Sequence, residues 1–309
     1  MERITGGEGL PPHLRGAVVA LGNFDGFHLG HQAVVGRAVE LARQRGRPAI
    51  VATFDPHPVR HFVPDAPPFR LTTLDQRERL FADASADAML VFEFGARLAG
   101  VTAEDFVRVW LAGASGVVTG EDFTFGKGRG GNVRVLTELG AQQGMTVDAV
   151  APVTLDGEVV SSSRIREALK AGDCAPATRL LTRPFAIEGV VQHGDALGRT
   201  IGYPTANLPL EKYLRPRYGV YAVRVRLADG RVIDAAANLG IRPQFDPPKE
   251  LLEAYLFDFD EDLYGQVIEV SLIQHLRDEA KFDGIDALID QMRRDCDEAR
   301  RILSAPRHD

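Results

Sequence analysis

The sequence predicts two domains in series: an α/β domain on a doubly wound parallel sheet, then an antiparallel β-barrel finished by a helix. Three observations predict this. Short, nearly continuous apolar runs alternate with amphipathic helical patterns through the first half of the chain. The alternation stops over residues 170–184, where Gly172, Pro176 and Pro184 punctuate a short helical stretch. From Phe185 onward strand patterns follow one another without long helices between them, until one amphipathic helix over Ile285–Leu303 ends the pattern. The boundary falls in the punctuated stretch, giving domains 1–180 and 181–309.

Taken in order, residues 17–21 form a first buried strand, and Val34, Val35, Ala38, Val39 and Ala42 give the stripe of the helix that follows. Residues 48–54 are a strand buried on both faces. A helix at Leu74–Asp83, a strand at 88–92, a helix at 103–111 capped by Thr102, a strand at 116–119, a helix at 133–143 and a strand at 146–151 continue the alternation. Ser161, Ser162 and Ser163 open a last helix that stops at Gly172. The barrel strands are 185–192, 219–227, 232–238, 252–257 and 267–273, with Asp229-Gly230 turning a hairpin.

The 309 residues are 45% hydrophobic and 26% charged, with net charge −7 and pI near 5.7. Such a surface has no broad electrostatic grip on nucleic acid or an anionic membrane, so neither is expected as a partner. Residues 1–15 lack the apolar core of a signal peptide, and no uncharged apolar run reaches 18 residues. Cys174 and Cys296 stand far apart, in neither a zinc nor a disulfide pattern, which fits a reducing cytoplasm.

Chemistry concentrates in a few stretches. Residues 22–31 read Gly-Asn-Phe-Asp-Gly-Phe-His-Leu-Gly-His between a strand and a helix. His28 and His31 are spaced to share one side of the first helical turn, Gly30 lets a phosphate approach the backbone, and a helix N-terminus attracts anions. Asp55 and His57 follow the second strand in a Pro-fixed loop, at the carboxyl edge where open α/β sheets bind ligands. The loop 120–132 is rich in glycine and carries Lys127 and Arg129, with Phe123 and Phe125 available for stacking. It is not a phosphate loop of the Walker type, because Gly128 stands where a magnesium-binding hydroxyl belongs. Its formal dinucleotide fingerprint starts too far past the strand. Ser162, Ser163 and Arg166 form a second anion cradle at a helix start. In the second domain Gly194, Gly198 and Gly202 let backbone amides approach an anion, with Arg199 adding charge. Thr205 and Asn207 present two oxygens on one side of an extended segment, suited to a magnesium ion that keeps most of its waters. Glu253 is a strand carboxylate able to accept a proton from a substrate hydroxyl.

The stretch 22–31, Thr-Phe-Asp-Pro-His-Pro at 53–58, Gly-Glu-Asp-Phe-Thr-Phe-Gly-Lys-Gly-Arg at 120–129 and Ser-Ser-Ser-Arg-Ile-Arg at 161–166 resemble, in order and spacing, the adenylyltransferase domain of bacterial bifunctional riboflavin kinase/FAD synthetases. The run 194–207, Asn-Leu-Gly-Ile-Arg-Pro at 238–243, Leu-Tyr-Gly at 263–265 and Leu-Arg-Asp-Glu at 276–279 are similar to the kinase domain of that family. The resemblance implies that riboflavin is phosphorylated at the barrel and that the FMN formed is adenylylated by a second ATP at the sheet domain, giving FAD. It implies ATP sites at Gly22, Asn23, Gly30, Ser162, Ser163 and Arg166, and again at Gly194, Gly198, Arg199 and Gly202. Flavin contacts fall at Asp55, His57, Asp122, Phe125, Asn238 and Arg277, and Thr205 and Asn207 hold magnesium with ATP. Glu253 is the kinase base, while His28 and His31 stabilise charge on the α-phosphate. Riboflavin, FMN and ATP are the expected partners, and weak self-association is compatible with the sequence.

Two positions depart from the family pattern: Gln244 replaces a threonine after Arg-Pro, and Tyr255 replaces a histidine two residues past the base. They motivate one alternative, an FAD synthetase whose barrel only binds flavin or regulates. A second alternative, a class I aminoacyl-tRNA synthetase relative, rests on His-x-Gly-His alone. The acidic charge and the lack of a helical tRNA-binding domain count against it.

Overall fold

The computed structural model describes residues 1–193, 203–242 and 249–304. Backbone packing divides the chain into two compact units: Met1–Pro67 with Thr72–Ser161, and Pro68–Leu71 with Ser162–Asp309.

In the first unit six strands, β1 (Glu2–Thr5), β2 (Val18–Leu21), β3 (Ala49–Asp55), β4 (Ala88–Glu93), β5 (Gly116–Gly120) and β6 (Thr146–Val150), form one parallel sheet in the order β1-β4-β3-β2-β5-β6. The apolar runs are continuous because both faces are covered. Val18, Ala20, Val51 and Met89 pack on one side with Val34, Val35 and Ala38 of α1 (Leu29–Arg45). Val19, Leu21, Ile50 and Leu90 pack on the other with Phe106, Trp110 and Leu136. From β2 the chain winds to β3 and β4 on one side and then returns to place β5 on the other. The switch point therefore lies between the carboxyl ends of β2 and β5, where this architecture opens a ligand crevice. The Thr119 hydroxyl donates to the Leu21 carbonyl there (2.9 Å) and ties the two strand ends together.

The segment expected as a helix over 103–111 is different. One α-helical turn, Ala103–Asp105, is capped by Thr102, whose hydroxyl accepts the Asp105 N–H (3.1 Å), and gives way to a π-helical turn at Phe106–Trp110. The wider turn, closed by Leu111 N–H to Phe106 C=O (3.1 Å), buries Phe106, Val107 and Trp110 together. Both aromatic rings meet Phe92 edge-on. Edge strand β1 and the short helix α2 (Pro58–Phe62) give no periodic signal, being too short. Helix α3 (Leu74–Asp83) starts on a reciprocal capping box between Thr73 and Gln76.

In the second unit, strands β7 (Phe185–Val190), β8 (Ala206–Pro209), β9 (Gly219–Arg226), β10 (Val232–Arg242), β11 (Lys249–Leu256) and β12 (Val267–Arg277) form an antiparallel sheet in the order β7-β12-β9-β10-β11-β8. An antiparallel bridge joins Gln192 to Asn207 and brings the two edges together. The β9–β10 hairpin closes with Gly230 at φ 89°. The C-terminal helix Ile285–Leu303 lies over the face carrying Ala222, Ala236 and Phe257, which Ala299 and Leu303 cover.

Candidate active sites

At the carboxyl end of β2 the backbone doubles back within five residues. Phe24 and Phe27 hold left-handed φ values of 51° and 47°, unusual for bulky residues, and Gly26 has φ 88°. The turn persists because its side chains are buried. Phe24 packs on Phe81 and His31, and Phe27 packs on Phe81. A Cβ at Gly22 would press on the Phe24 ring at 3.0 Å. The buried Asp25 carboxylate accepts the Thr72 N–H (3.0 Å) and hydroxyl (3.2 Å), and the Gly26 N–H donates to the same hydroxyl (2.9 Å). Asp25 and Thr72 thus build the turn, a role that sequence pattern alone does not reveal.

His28 is the N-cap of α1: its Nδ1 accepts the His31 N–H (3.4 Å), which leaves the proton of the neutral ring on Nε2. The two imidazoles stack with centroids 3.6 Å apart and planes 19° apart. A Cβ at Gly30 would meet the His28 ring at 3.3 Å, so this glycine gives room to the imidazole as well as to the backbone. The Asn23 side-chain oxygen is buried and finds no hydrogen-bond donor among the described residues. Such an atom calls for a ligand or water partner.

Asp55 and His57 follow β3 at the same edge of the sheet, and His57 caps α2 by accepting the Val59 N–H (3.2 Å). Beyond β5, Asp122 is exposed, whereas the Phe125 ring is buried against Phe106. Phe125 is therefore a prop of the loop, stacked under a half-exposed Phe123. Ser162 begins the helix Ser162–Ala171 in the second compact unit, where Arg166 lies over the Phe69 ring (5.3 Å) and donates Nε–H to the Phe69 carbonyl (2.9 Å). Ser163 is exposed one residue on.

In the barrel, register aligns a polar row: Asn207 on β8 faces Glu253 on β11, which faces Asn238 on β10. Directly opposed residues project on the same face. Asn207 is buried, and its amide N–H reaches back to the Thr205 carbonyl (3.5 Å), leaving its oxygen for another partner. The Asn238 side-chain oxygen is also buried without a donor among the described residues. Arg277 lies elsewhere in the network. Nε and one terminal nitrogen fork onto Asp295 of the C-terminal helix (2.9 and 2.6 Å), and the other donates to the Asp278 carbonyl (2.8 Å). The guanidinium fork ties the strand to the C-terminal helix. Tyr255 packs edge-on between Tyr203 and Phe257. Gly194, Gly198, Arg199, Gly202 and Gln244 lie outside the described residues.

A doubly wound sheet with paired imidazoles at its switch point, joined to an antiparallel barrel with a carboxylate between two amides, defines a nucleotide-handling domain coupled to a second, phosphotransferase-like one. Comparison with known proteins agrees. The FAD synthetase family model matches residues 10–164 and the riboflavin kinase model residues 181–303. The bifunctional riboflavin kinase/FMN adenylyltransferase of Escherichia coli (strain K12) is 39% identical over 283 residues, covering 91% of this chain and 90% of that one. The protein of the same name from Pseudomonas fluorescens is 40% identical over 310 residues and 99% of both chains, and that of Bacillus subtilis (strain 168) is 38% identical over 93% of each. A crystal structure titled macrolide-efflux protein from Streptococcus pneumoniae superposes with TM-score 0.85 at 34% identity, over 97% of this chain and 99% of that one. Among the described residues no helix is long and apolar enough to cross a membrane. The chain belongs to the bifunctional riboflavin kinase/FMN adenylyltransferase family.

Proposed function

We infer that this chain phosphorylates riboflavin with ATP to give FMN and ADP, and then joins FMN to the adenylyl group of a second ATP to give FAD and pyrophosphate. The observation that favours two activities over an adenylyltransferase with a merely flavin-binding barrel is the row Asn207, Glu253, Asn238, which carries a carboxylate between two amide oxygens on regular strands. An alcohol is a poor nucleophile, so the kinase step needs a base, and Glu253 takes the proton of the ribityl hydroxyl as its oxygen attacks the γ-phosphorus. Asn238 holds the flavin. Thr205 and Asn207 are neutral oxygen donors that fit magnesium, the rest of whose shell comes from water and ATP phosphates. Bound there, the ion would neutralise phosphate charge.

In the second step the nucleophile is already an anion, the FMN phosphate, and no strong base is required. His28 donates from Nε2 and His31 lies stacked beside it, so both are assigned to the charge that develops on the α-phosphate. Gly22, Asn23 and Gly30 cradle the triphosphate, Asp55, His57 and Asp122 border the flavin, and Ser162, Ser163 and Arg166 take the pyrophosphate. The glycines 194, 198 and 202 with Arg199 are assigned to ATP of the kinase step. We assign the adenylyltransferase to residues 1–180 and the kinase to 181–309, and place the protein in the cytoplasm. The two free thiols suit that compartment: burial pushes both Cys174 and Cys296 up to about 11, so they stay protonated and unreactive.

Chromatography of flavins after incubation with riboflavin, ATP and magnesium tests the reading. FMN followed by FAD is expected. Riboflavin left unchanged, with FAD formed only from supplied FMN, would favour the flavin-binding barrel.

A further inference from the structure

The loop 121–130, which leaves the carboxyl end of β5, reaches along the edge of the parallel sheet before the next helix begins. Thr124–Phe125 pairs with Gly131–Asn132 as a short antiparallel ribbon. Phe125 is buried on Phe106 (ring centroids 5.4 Å apart), Phe106 meets Phe92 (5.6 Å), and Phe92 meets Phe54 (5.6 Å). Phe54 and Phe92 are register partners one residue before the ends of β3 and β4. The Lys127 N–H donates to the Val101 carbonyl (2.7 Å), and a Cβ at Gly126 would stand 2.8 Å from the Ala103 backbone nitrogen. The tip of the loop is therefore fastened to the chain that follows β4. In the strand order β4-β3-β2-β5, a loop that starts at β5 and is fastened there runs alongside the ends of β2 and β3, which His28 and Asp55 occupy.

Lys127 and Arg129 at the tip are exposed, and among the described residues neither has an acidic partner. Arg129 holds φ 57° between Gly128 and Gly130, so an arginine stands in a conformation that favours glycine. Adenylyl transfer sets one anion against another, because the FMN phosphate must approach the α-phosphate of ATP. The side chains of this unit assigned to that approach are an amide, imidazoles and the carboxylates Asp55 and Asp122. Cations on neighbouring elements are engaged. Arg77 of α3, on the side of Leu74 and Phe81, is 4% exposed and donates to the Thr53 hydroxyl (2.8 Å) and the Asn23 carbonyl (3.2 Å). Arg60 donates to the Ala66 and Pro67 carbonyls, and Arg97 lies over the Trp110 ring (5.5 Å).

We propose that Lys127 and Arg129 bind the phosphate of FMN in adenylyl transfer and so select FMN over riboflavin, which rests on the reading of 22–31 as the ATP turn and 55–57 as the flavin loop. The flavin phosphate, and not the triphosphate, falls to them because the loop is fastened on the β3 and β4 side, away from the helix start that holds ATP. An ammonium and a guanidinium together match a dianion that riboflavin lacks. Both cations are exposed, so each contributes modestly and salt screens both.

Initial rates of FAD formation from FMN, ATP and magnesium by the full-length enzyme test this. Lys127→Gln and Arg129→Gln keep a hydrogen-bond donor and lose the charge; each should raise the KM for FMN about threefold, and the double variant about tenfold. The KM for ATP should stay within about twofold of the parent in all three. Salt gives a readout that a merely structural role would not move. Raising potassium chloride from about 0.05 M to about 0.3 M should raise the parent's KM for FMN, and the double variant should lose most of that dependence. Lys127→Arg keeps the charge and should keep the parent's KM and salt dependence. An unchanged KM for FMN in the double variant overturns the proposal, and so does a raised KM that keeps the parent's salt dependence. A KM raised for ATP and not for FMN also overturns it, giving the cations to the triphosphate. Riboflavin phosphorylation by the same preparations reports folding, and if the double variant loses it, the single variants decide by the same KM and salt criteria. A parent that forms no FAD from FMN overturns the adenylyltransferase reading and the proposal with it. A parent that forms FAD, beside variants that keep its KM for FMN, overturns the proposal alone.

Discussion

In the α/β unit the residues assigned to the site stand on a turn and the helix start that follows it, and in the barrel the assigned residues Asn207, Glu253 and Asn238 stand on strands. Asn23, His28 and His31 are held where the chain leaves β2 through two left-handed phenylalanines, with buried Asp25, Thr72 and Arg77 fixing a backbone that has no ladder of its own. Asn207, Glu253 and Asn238 need no such scaffolding, because the sheet register already lines them up. The chemistry explains the contrast. Adenylyl transfer from an anionic nucleophile asks for donors around a phosphate, which turns and helix starts provide. Phosphorylation of an alcohol asks for one carboxylate at a fixed distance from a bound hydroxyl, which a regular strand supplies more rigidly than a loop.

If that division of labour holds, single substitutions should break one activity and spare the other. The largest effect is expected at Glu253. Glu253→Gln keeps size and hydrogen bonding but cannot take a proton, so riboflavin phosphorylation should fall by about 10² to 10⁴. FAD formation from supplied FMN should stay within twofold. Separate assays of the two steps check this, and a kinase rate near that of the parent would remove Glu253 from the role of base.

Next is His28→Ala. Loss of a donor aimed at developing phosphate charge costs about 10² to 10³ in rate, and here the N-cap of α1 goes with it. The melting temperature should fall slightly while FMN production continues at its normal rate. Parallel loss of both products would mean that the two sites are not independent.

The contrast also explains what was legible in the sequence. The turn site announces itself because glycine and histidine at fixed spacing between a strand and a helix are compositionally conspicuous, and the alternation of apolar runs with helical stripes gave the parallel sheet. The residues that hold the turn were not legible. Asp25 reads as a loop residue and Thr72 as a neighbour of a cap, and Arg77 carries only the weak signal of a charge on an apolar stripe. In the barrel, Thr205, Asn207 and Glu253 could each be picked out, but their alignment with Asn238 depends on which strands are neighbours, and short strand β8 had no periodicity to reveal it. Arg277 shows a contact that the motif does not reveal. Its position in a family-like motif suggested a ligand contact, and only the tertiary structure brings Asp295 to it from 18 residues away.

A smaller effect sharpens the barrel half of the comparison. The buried Asn238 oxygen lacks a donor among the described residues, so Asn238→Leu removes an unsatisfied polar atom and should leave stability unchanged or raise it slightly. The KM for riboflavin should rise about tenfold with little change in kcat. Titration of riboflavin in the kinase assay, paired with chemical denaturation, reads both. A clear loss of stability with normal KM would make Asn238 a structural residue after all.

The smallest effect concerns what keeps the row in register. One residue into β11, Glu250 accepts from Arg215 Nε (2.7 Å) and from the Tyr218 hydroxyl. The Arg215 hydrogen bond, joined by that of Tyr218, holds its carboxyl below the usual range, and burial together with Glu250 pushes the Tyr218 phenol up to about 12. A carboxyl whose folded pKa is depressed stabilises the fold above its unfolded value, near 4.5, and loses that contribution as the pH falls through the lower folded value. The pair is partly exposed, so the contribution at neutral pH should be about 1 kcal/mol or less. Denaturation of Glu250→Gln beside the parent should show a constant difference from pH 7 down to about 5, closing below that. A difference that grows on acidification would have the wrong sign for a depressed carboxyl and would leave the alignment of Glu253 to the backbone ladder alone.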